Sequence, residues 1–316
     1  WFPWIRGLIP ENIRGAYLTS ESAFANAGSL IAFLLVALYL GEAPKSFQFS
    51  YLFIFSCLAG GVSLIFISRV PDVLPPEEEK GKKQQAPWIE IFGNKPFRKL
   101  LWVEFFMAIS LGGLAAFTVK YLRAEAGMQV NHIMLASAAK FVGALGTLWF
   151  LKTRLDRLGS RPVILFGIIV GLLCVILFGL IAGRVVALNF HTVLALYFSF
   201  GFVLSAVTMS MTRLAMSTVP RLGSSYYFAV YAVVGNLAMG ISPTLWGLMI
   251  DLLSTKENMW LGIEWNEYTI YFTSVALALF MTALATIRLE ENKAANLNEL
   301  FIDLIRHSPL RSWIRN

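Results

Sequence analysis

The sequence predicts an all-α membrane protein, because it contains eight apolar segments that are each long enough to cross a bilayer. A hydrocarbon core about 30 Å thick needs ~20 helical residues at about 1.5 Å rise per residue. In lipid, every backbone N–H and C=O must be bonded within its own segment, so these spans are expected to be helices. The predicted spans, numbered 1 to 8 in chain order, are residues 16–40, 49–69, 100–120, 130–151, 162–183, 189–214, 223–250 and 267–287.

Composition and charge agree with this class. The chain is 57% hydrophobic and 14% charged, whereas a soluble domain is about 25% charged. When the connections are assigned alternately to the two sides of the membrane, 20 of the 26 lysines and arginines lie on one side and five on the other. The remaining one, Lys140, lies inside a span. This asymmetry predicts a protein of the cell (inner) membrane with both termini cytoplasmic. The net charge of +7 is therefore not a sign of nucleic-acid binding.

One connection is much longer than the others and divides the spans into two and six. Residues 70–97 are rich in proline and carry the charge run EEEKGKKQQ, a composition typical of a solvated linker. Its second part, 88–92, could form one amphipathic turn on the membrane surface. After the last span, apolar residues at 297, 300, 301, 304 and 305 share one helical face, which predicts an amphipathic helix on the cytoplasmic leaflet or a docking helix for a partner.

A repeat across six spans is suggested by the segments that enter spans 1 and 7. The matched pairs are Pro10 and Pro220, Tyr17 and Tyr227, and Asn26 and Asn236. If span 1 corresponds to span 7, then spans 1 and 2 end a first six-helix bundle and spans 3 to 8 form a complete second one. The predicted domains are 1–69 (first bundle), 70–97 (linker), 98–289 (second bundle) and 290–316 (tail). We also expect about four further helices upstream of Trp1.

The loop between spans 4 and 5 reads LKTRLDRLGSRP and is similar to the loop signature of the major facilitator superfamily, Gly-x-x-x-Asp-Arg-x-Gly-Arg-Arg/Lys. The matching residues are Asp156, Arg157, Gly159 and Arg161, with Lys152 and Ser160 as departures. The segments LIPENIRGAY, GNKPFRKLL and span 7 also look like those of the family. The chain thus resembles helices five to twelve of a twelve-helix transporter. The resemblance implies alternating access for a small solute, with this loop acting as a conformational latch.

Polar and ionisable residues inside the spans are the candidates for substrate binding or for coupling to protons or sodium. Charges in lipid are costly and usually face a bundle interior or a water-filled cavity. The candidates are Lys140, Glu21, Glu104, Asn26, Asn236 and Tyr227, and Gly240 and Pro243 are the expected kink of span 7. Lys140 lies ~18 Å from the end of span 4 at Lys152.

The expected surroundings of these residues differ. The resemblance sets span 4 against span 1, so Glu21 or Asn26 is expected to face Lys140, and Glu104 could approach from span 3. Because Glu104 lies near the cytoplasmic end of its span, it could instead pair with Arg98 or Lys99.

Two other functions remain open, namely an integral-membrane enzyme acting on a lipid or isoprenoid and a membrane scaffold that does not transport. Such enzymes usually carry acidic pairs such as Asp-x-x-x-Asp or histidine clusters at a membrane face, and the sequence has neither. Intramembrane Glu and Lys argue against a scaffold. We therefore expect no enzymatic activity, no cofactor and no metal; the expected partners are a small-molecule substrate and the lipid bilayer, not nucleic acid.

Overall fold

Helices make up nearly all of the part of the chain that the computed structural model describes, which is residues 8–9, 11–41, 44–71, 88–151, 159–220, 223–253 and 258–289. The helices are α1 (Glu11–Leu40), α2 (Ser46–Ile67), α3 (Trp88–Gly93), α4 (Lys95–Gly112), α5 (Leu114–Ala124), α6 (Val130–Leu151), α7 (Ser160–Ala182), α8 (Phe190–Thr218), α9 (Ser224–Leu253) and α10 (Glu267–Ile287). A short hairpin of β1 (Asn258–Trp260) and β2 (Ile263–Trp265) joins α9 to α10. The all-α class is confirmed.

Seven stretches of the described chain are helical, long and apolar enough to cross a membrane. They are Thr19–Leu40, Ser46–Ile67, Lys95–Ala124, Ser160–Ala182, Phe190–Thr218, Ser224–Leu253 and Glu267–Ile287. Predicted span 4 is α6, a 22-residue helix that contains Lys140 and is not among the seven. The predicted turn at 88–92 is α3, where Ile91 is buried while Ile89 remains 90% exposed.

Span 3 is not the uninterrupted helix that we predicted over 100–120. Helix α4 ends at Gly112 and α5 begins at Leu114. At the break, the Gly113 N–H donates to the Leu111 carbonyl, so the Ile109 carbonyl lacks its usual partner four residues later. Two side chains of α9 satisfy this oxygen: Ser242 Oγ donates at 2.6 Å and Trp246 Nε1 at 2.9 Å. The break is thus tolerated at membrane depth because a neighbouring helix supplies the missing donors.

The helices pack in a continuous order. Helix α1 packs on α6, α6 on α8, α8 on α7, α7 on α10, α10 on α4 and α4 on α9. Two clusters of buried side chains fill this arrangement, one around Phe97 and Tyr231 and one around Tyr271 and Phe272. Helix α2 stands apart, since none of its described residues is buried. Both clusters therefore lie in the part of the chain from Ile91 onward, which includes the end of the predicted linker.

The hairpin between α9 and α10 was not predicted from the sequence. Its antiparallel strands pair Asn258 with Trp265, Met259 with Glu264, and Trp260 with Ile263. The two turn residues, Leu261 and Gly262, both have positive φ (55° and 74°), as a two-residue type I′ turn requires. Strands of three residues are too short to show the alternating pattern by which a strand is recognised in a sequence.

Several predictions fall outside the described residues. Most of the predicted linker, 72–87, is one such segment, and the tail from 290 onward, with its predicted amphipathic helix, is another. The same holds for Asp156 and Arg157 of the predicted latch, which lie in 152–158.

Candidate functional site

Lys140 lies where the first predicted bundle meets the second. Its side chain is half-buried on α6, with Nζ 5.4 Å from the centroid of the Phe141 ring. That ring in turn contacts Phe33 of α1, with centroids 5.2 Å apart. The expected contact between spans 1 and 4 is therefore present. Among the described residues, no carboxylate pairs with the Lys140 ammonium.

Close backbone packing fixes the position of Lys140. A Cβ on Gly201 of α8 would overlap the Lys140 carbonyl, and a Cβ on Gly143 of α6 would overlap the Phe198 carbonyl. One turn further, Thr147 Oγ1 donates across the same interface to the Phe202 carbonyl at 2.6 Å. The two glycines let α6 and α8 touch backbone to backbone, which leaves the lysine little freedom to shift along or across its helix.

Glu104 occupies a second polar position, between α4 and α9. Its Oε2 accepts a hydrogen bond of 2.6 Å from the Tyr231 hydroxyl. Its Oε1 lies in a notch at Gly235, where a Cβ would come within 2.6 Å of that oxygen.

The expected pairing of Glu104 with Arg98 or Lys99 is wrong. Its partner is a tyrosine of another helix, while Arg98 Nη1 donates to the Phe92 carbonyl at 3.3 Å. The Glu104 side chain faces α9, whereas Arg98 and Lys99 lie more than one helical turn before it on α4.

Of the remaining polar candidates, the two asparagines bond within their own helices, the tyrosine packs in the core and the glutamate is exposed. Asn26 Nδ2 donates to the Ser22 carbonyl at 2.7 Å, and Asn236 Nδ2 donates to the Ala232 carbonyl at 2.8 Å. The two asparagines, paired by the proposed repeat, thus make the same bond to the residue four positions earlier. Tyr227 is 5% exposed and packs edge to face against the Phe97 ring at 4.8 Å, whereas Glu21 is exposed.

The described residues of the loop lie at the start of α7, and the described residues of the expected kink lie in α9. Gly159 precedes α7 with φ of 83°, a conformation that favours glycine. Arg161 Nη2 donates to the Ile287 carbonyl at 2.6 Å and so joins the start of α7 to the end of α10. Pro243 lies inside α9, and the space around the missing Cβ of Gly240 is open to 4 Å. Within the described chain, no group of three or more His, Cys, Asp or Glu is arranged to hold a metal ion.

Sequence reasoning missed three residues of these sites: Tyr231, Ser242 and Trp246. One signal was present, because Tyr227, Tyr231 and Gly235 follow each other at intervals of four and therefore share a face of α9. Nothing in the sequence pointed to Ser242 and Trp246, since their role depends on a carbonyl freed on another helix.

Comparison with known proteins gives a clear result for the family and none for individual relatives. The family model described as Major Facilitator Superfamily matches residues 1–243. No curated protein matches the chain significantly. The matched range runs from the start of the chain through the loop signature to Pro243, and it contains α1 to α8 and most of α9. Together with the seven apolar spans, this match shows that the chain belongs to the Major Facilitator Superfamily, a family of multi-pass membrane transporters.

Proposed function

We propose that this protein is a secondary active transporter that moves a small anionic solute by alternating access. The observation that carries the proposal is the place of Lys140, deep in α6 and beside the contact with α1. A cation at this depth is costly unless it faces water, a ligand or an opposite charge. Because no described carboxylate neutralises it, an anionic group on the solute is the proposed partner.

The same contact is the proposed boundary between two moving bundles. In this scheme α1 and α2 end the first bundle, and α4 to α10 form the second. Within the described part of the chain, the main contact between the first bundle and the second is that of α1 with α6. Relative rocking of the bundles would open and close the space beside Lys140. The Asp156–Arg161 loop is the proposed latch on the cytoplasmic side, where arginines can bridge neighbouring helix ends as Arg161 does.

We further propose that Glu104 binds the coupling proton. Its carboxylate lies within a span and accepts a hydrogen bond from the Tyr231 hydroxyl. Among the described residues, Tyr231 is the ionisable residue that contacts this carboxylate. Neither α8 nor α10, which also pack on α4, brings a described charge into contact with it. A hard metal cation takes about six oxygen ligands, whereas a proton needs one carboxylate oxygen. The notch therefore suits a proton better than sodium.

The solute proposal is tested by Lys140→Met, which keeps the side chain long and removes its charge. Purified protein is screened by thermal unfolding against small organic anions and matched neutral compounds, since a ligand raises the stability of the state it binds. An anion that stabilises the wild type should bind about 10- to 100-fold more weakly to the variant, because hydrogen bonds to a charged group are worth about 1.5–3 kcal/mol.

The matched control is Lys120→Met, which removes an exposed lysine from α5. It should bind the anion as the wild type does. Stabilisation by neutral compounds alone, or full binding of the anion in Lys140→Met, would contradict the proposed role.

The coupling proposal is tested by Glu104→Gln in liposomes. The variant should exchange solute across the membrane without a gradient but lose accumulation driven by a pH gradient, because the amide cannot take up a proton. The control is Glu125→Gln, which alters an exposed carboxylate between α5 and α6. Accumulation that still follows the pH gradient in Glu104→Gln would show that the proton binds elsewhere. No observation on the described residues favours the lipid-acting enzyme.

A further inference from the structure

The hairpin between α9 and α10 presents an apolar tip. Three consecutive residues are largely exposed: Met259 (74%), Trp260 (64%) and Leu261 (77%). Leu261 is also the first residue of the turn, at positive φ, where a side chain other than Gly, Asn or Asp is unfavourable. A large apolar residue at such a position, exposed and strained, is not explained by the fold of the hairpin itself.

The tip is held at a fixed place because the base of the hairpin is bonded to the end of α7. Glu264 N–H donates to the Gly183 carbonyl at 3.1 Å, and Asn266 Nδ2 donates to the Ala182 carbonyl at 2.9 Å. An ion pair joins Arg184 Nη1 to Glu264 Oε2 at 3.0 Å. At Gly183 there is no room for a Cβ, which would come within 2.6 Å of Ile263 Cγ2. The hairpin is therefore docked on α7.

The hairpin is docked beside two helices that lie away from the contact between α1 and α6 in the order of packing. Helices α7 and α10 pack on each other and are three and four steps from α1 in the order of packing. Both also expose apolar side chains along their outer faces: Ile169, Leu173 and Ile176 on α7, and Leu277, Phe280, Met281 and Leu284 on α10. In a membrane-spanning helix such a face is covered by acyl chains. The docked hairpin thus lies at the ends of two helices whose exposed apolar faces suit contact with lipid.

We propose that the tip, residues 259–261, inserts into the interface of the leaflet at this end of the bundle and anchors the hairpin to lipid. The short connections are consistent with this, since the sequence has four residues between the end of α9 and β1 and one residue between β2 and α10, and a three-residue strand reaches only ~10 Å. The chemistry fits as well. Tryptophan is enriched where headgroups meet acyl chains, and Met and Leu on either side add apolar surface. A lid over the transport path would instead have to reach towards α1.

The experiment places a fluorescent NBD label at the tip. Leu261→Cys is labelled in a background with Cys57→Ser and Cys174→Ser, which removes the two cysteines of the chain, and is reconstituted in phosphatidylcholine and phosphatidylglycerol liposomes. We expect brominated lipids to quench this label and iodide in the aqueous phase to leave it bright. Glu125→Cys, in the exposed connection between α5 and α6, is the control and should show the reverse.

A second label at Met259→Cys controls for the possibility that a label at the turn residue Leu261 changes the conformation of the hairpin. Quenching of both tip labels by iodide alone would place the tip in water and overturn the proposal. Quenching by neither agent would mean that protein covers the tip, as a second copy or a closing lid would do, and would overturn it too. The measurement needs no substrate, so it stands apart from the outcome of the transport tests.

Discussion

Glycine at 143 and 201 determines how near α6 and α8 can come. At both positions a Cβ would overlap a backbone carbonyl of the other helix, and a backbone cannot move aside as a flexible side chain can. Gly146, one turn along α6, has open space around it to 4 Å. The close contact is thus made by particular glycines, and a glycine on the same helix does not take part.

We predict that Gly143→Ala destabilises the protein by about 1–3 kcal/mol, the usual range for forcing extra atoms into a packed interface. Gly146→Ala should be neutral or stabilise by up to about 1 kcal/mol, because alanine is the better helix former. Thermal unfolding in detergent, followed by circular dichroism, gives the comparison. Equal stability of the two variants would mean that α6 and α8 do not touch as described. Gly143→Ala should also displace Lys140 and weaken binding of the anion.

The interruption between α4 and α5 shows how one helix can compensate for a defect in another. The N–H of Gly113, the residue after α4, donates to the Leu111 carbonyl, and the Ile109 carbonyl is bonded instead by Ser242 and Trp246 of α9. Gly112 brings the helices close enough, since a Cβ there would lie 2.7 Å from the Met239 carbonyl. The break in span 3 is therefore stabilised by side chains of α9, which lie more than a hundred residues away in the chain.

We predict that losing both donors costs more than the sum of losing each. Ser242→Ala and Trp246→Phe should each cost about 1 kcal/mol in hydrogen bonding, since the Ile109 carbonyl keeps the other donor, with an added packing loss for the smaller ring. The double variant leaves that buried oxygen unpaired and should show a further loss of about 1–3 kcal/mol.

Thermal unfolding of the four proteins forms a double-mutant cycle. Trp102→Phe, at a 54% exposed position on α4, is the control and should stay within about 0.5 kcal/mol of the wild type. Strictly additive losses would show that the two bonds do not share one acceptor.

The order of packing places α6 and α9 at opposite ends of the second bundle. α6 contacts α1, whereas α9 exposes a row of apolar side chains: Val233, Leu237, Leu245, Leu248 and Leu252. Helix α2, with no buried residue, is likewise apolar on all sides. These surfaces suit contact with lipid or with another apolar helix.

The orientation of the chain in the membrane is a prediction that follows from the charges of its loops. Protease added outside sealed right-side-out vesicles should leave 72–87 and the residues after 290 intact, because both segments are predicted to be cytoplasmic. In permeabilised vesicles the same protease should cut both, which is the control for accessibility. Cleavage of 72–87 from outside would reverse the predicted orientation.

The sequence was sufficient for seven of the eight predicted spans, because the requirement that defines a span is local. A segment of about 20 apolar residues has to satisfy its own backbone in lipid whatever its neighbours are, and seven such helices are present in the described chain. The loop residues Asp156 to Arg161 were likewise enough to indicate the family, which the match over residues 1–243 shows. Among the site residues, the positions of Lys140 in α6 and of Glu104 in α4 follow from the sequence alone.

Which residues touch was settled by packing alone. Glu104 and Tyr231 are 127 positions apart and meet only because Gly235 leaves a notch for the carboxylate. The unpaired Ile109 carbonyl and the docked hairpin are equally invisible in the sequence, because each depends on an atom that another element supplies. Hydropathy reports the free energy of transferring one segment from water to lipid. Contacts between helices of similar hydropathy depend instead on shape and on hydrogen bonds across the interface, and those exist only once the helices are assembled.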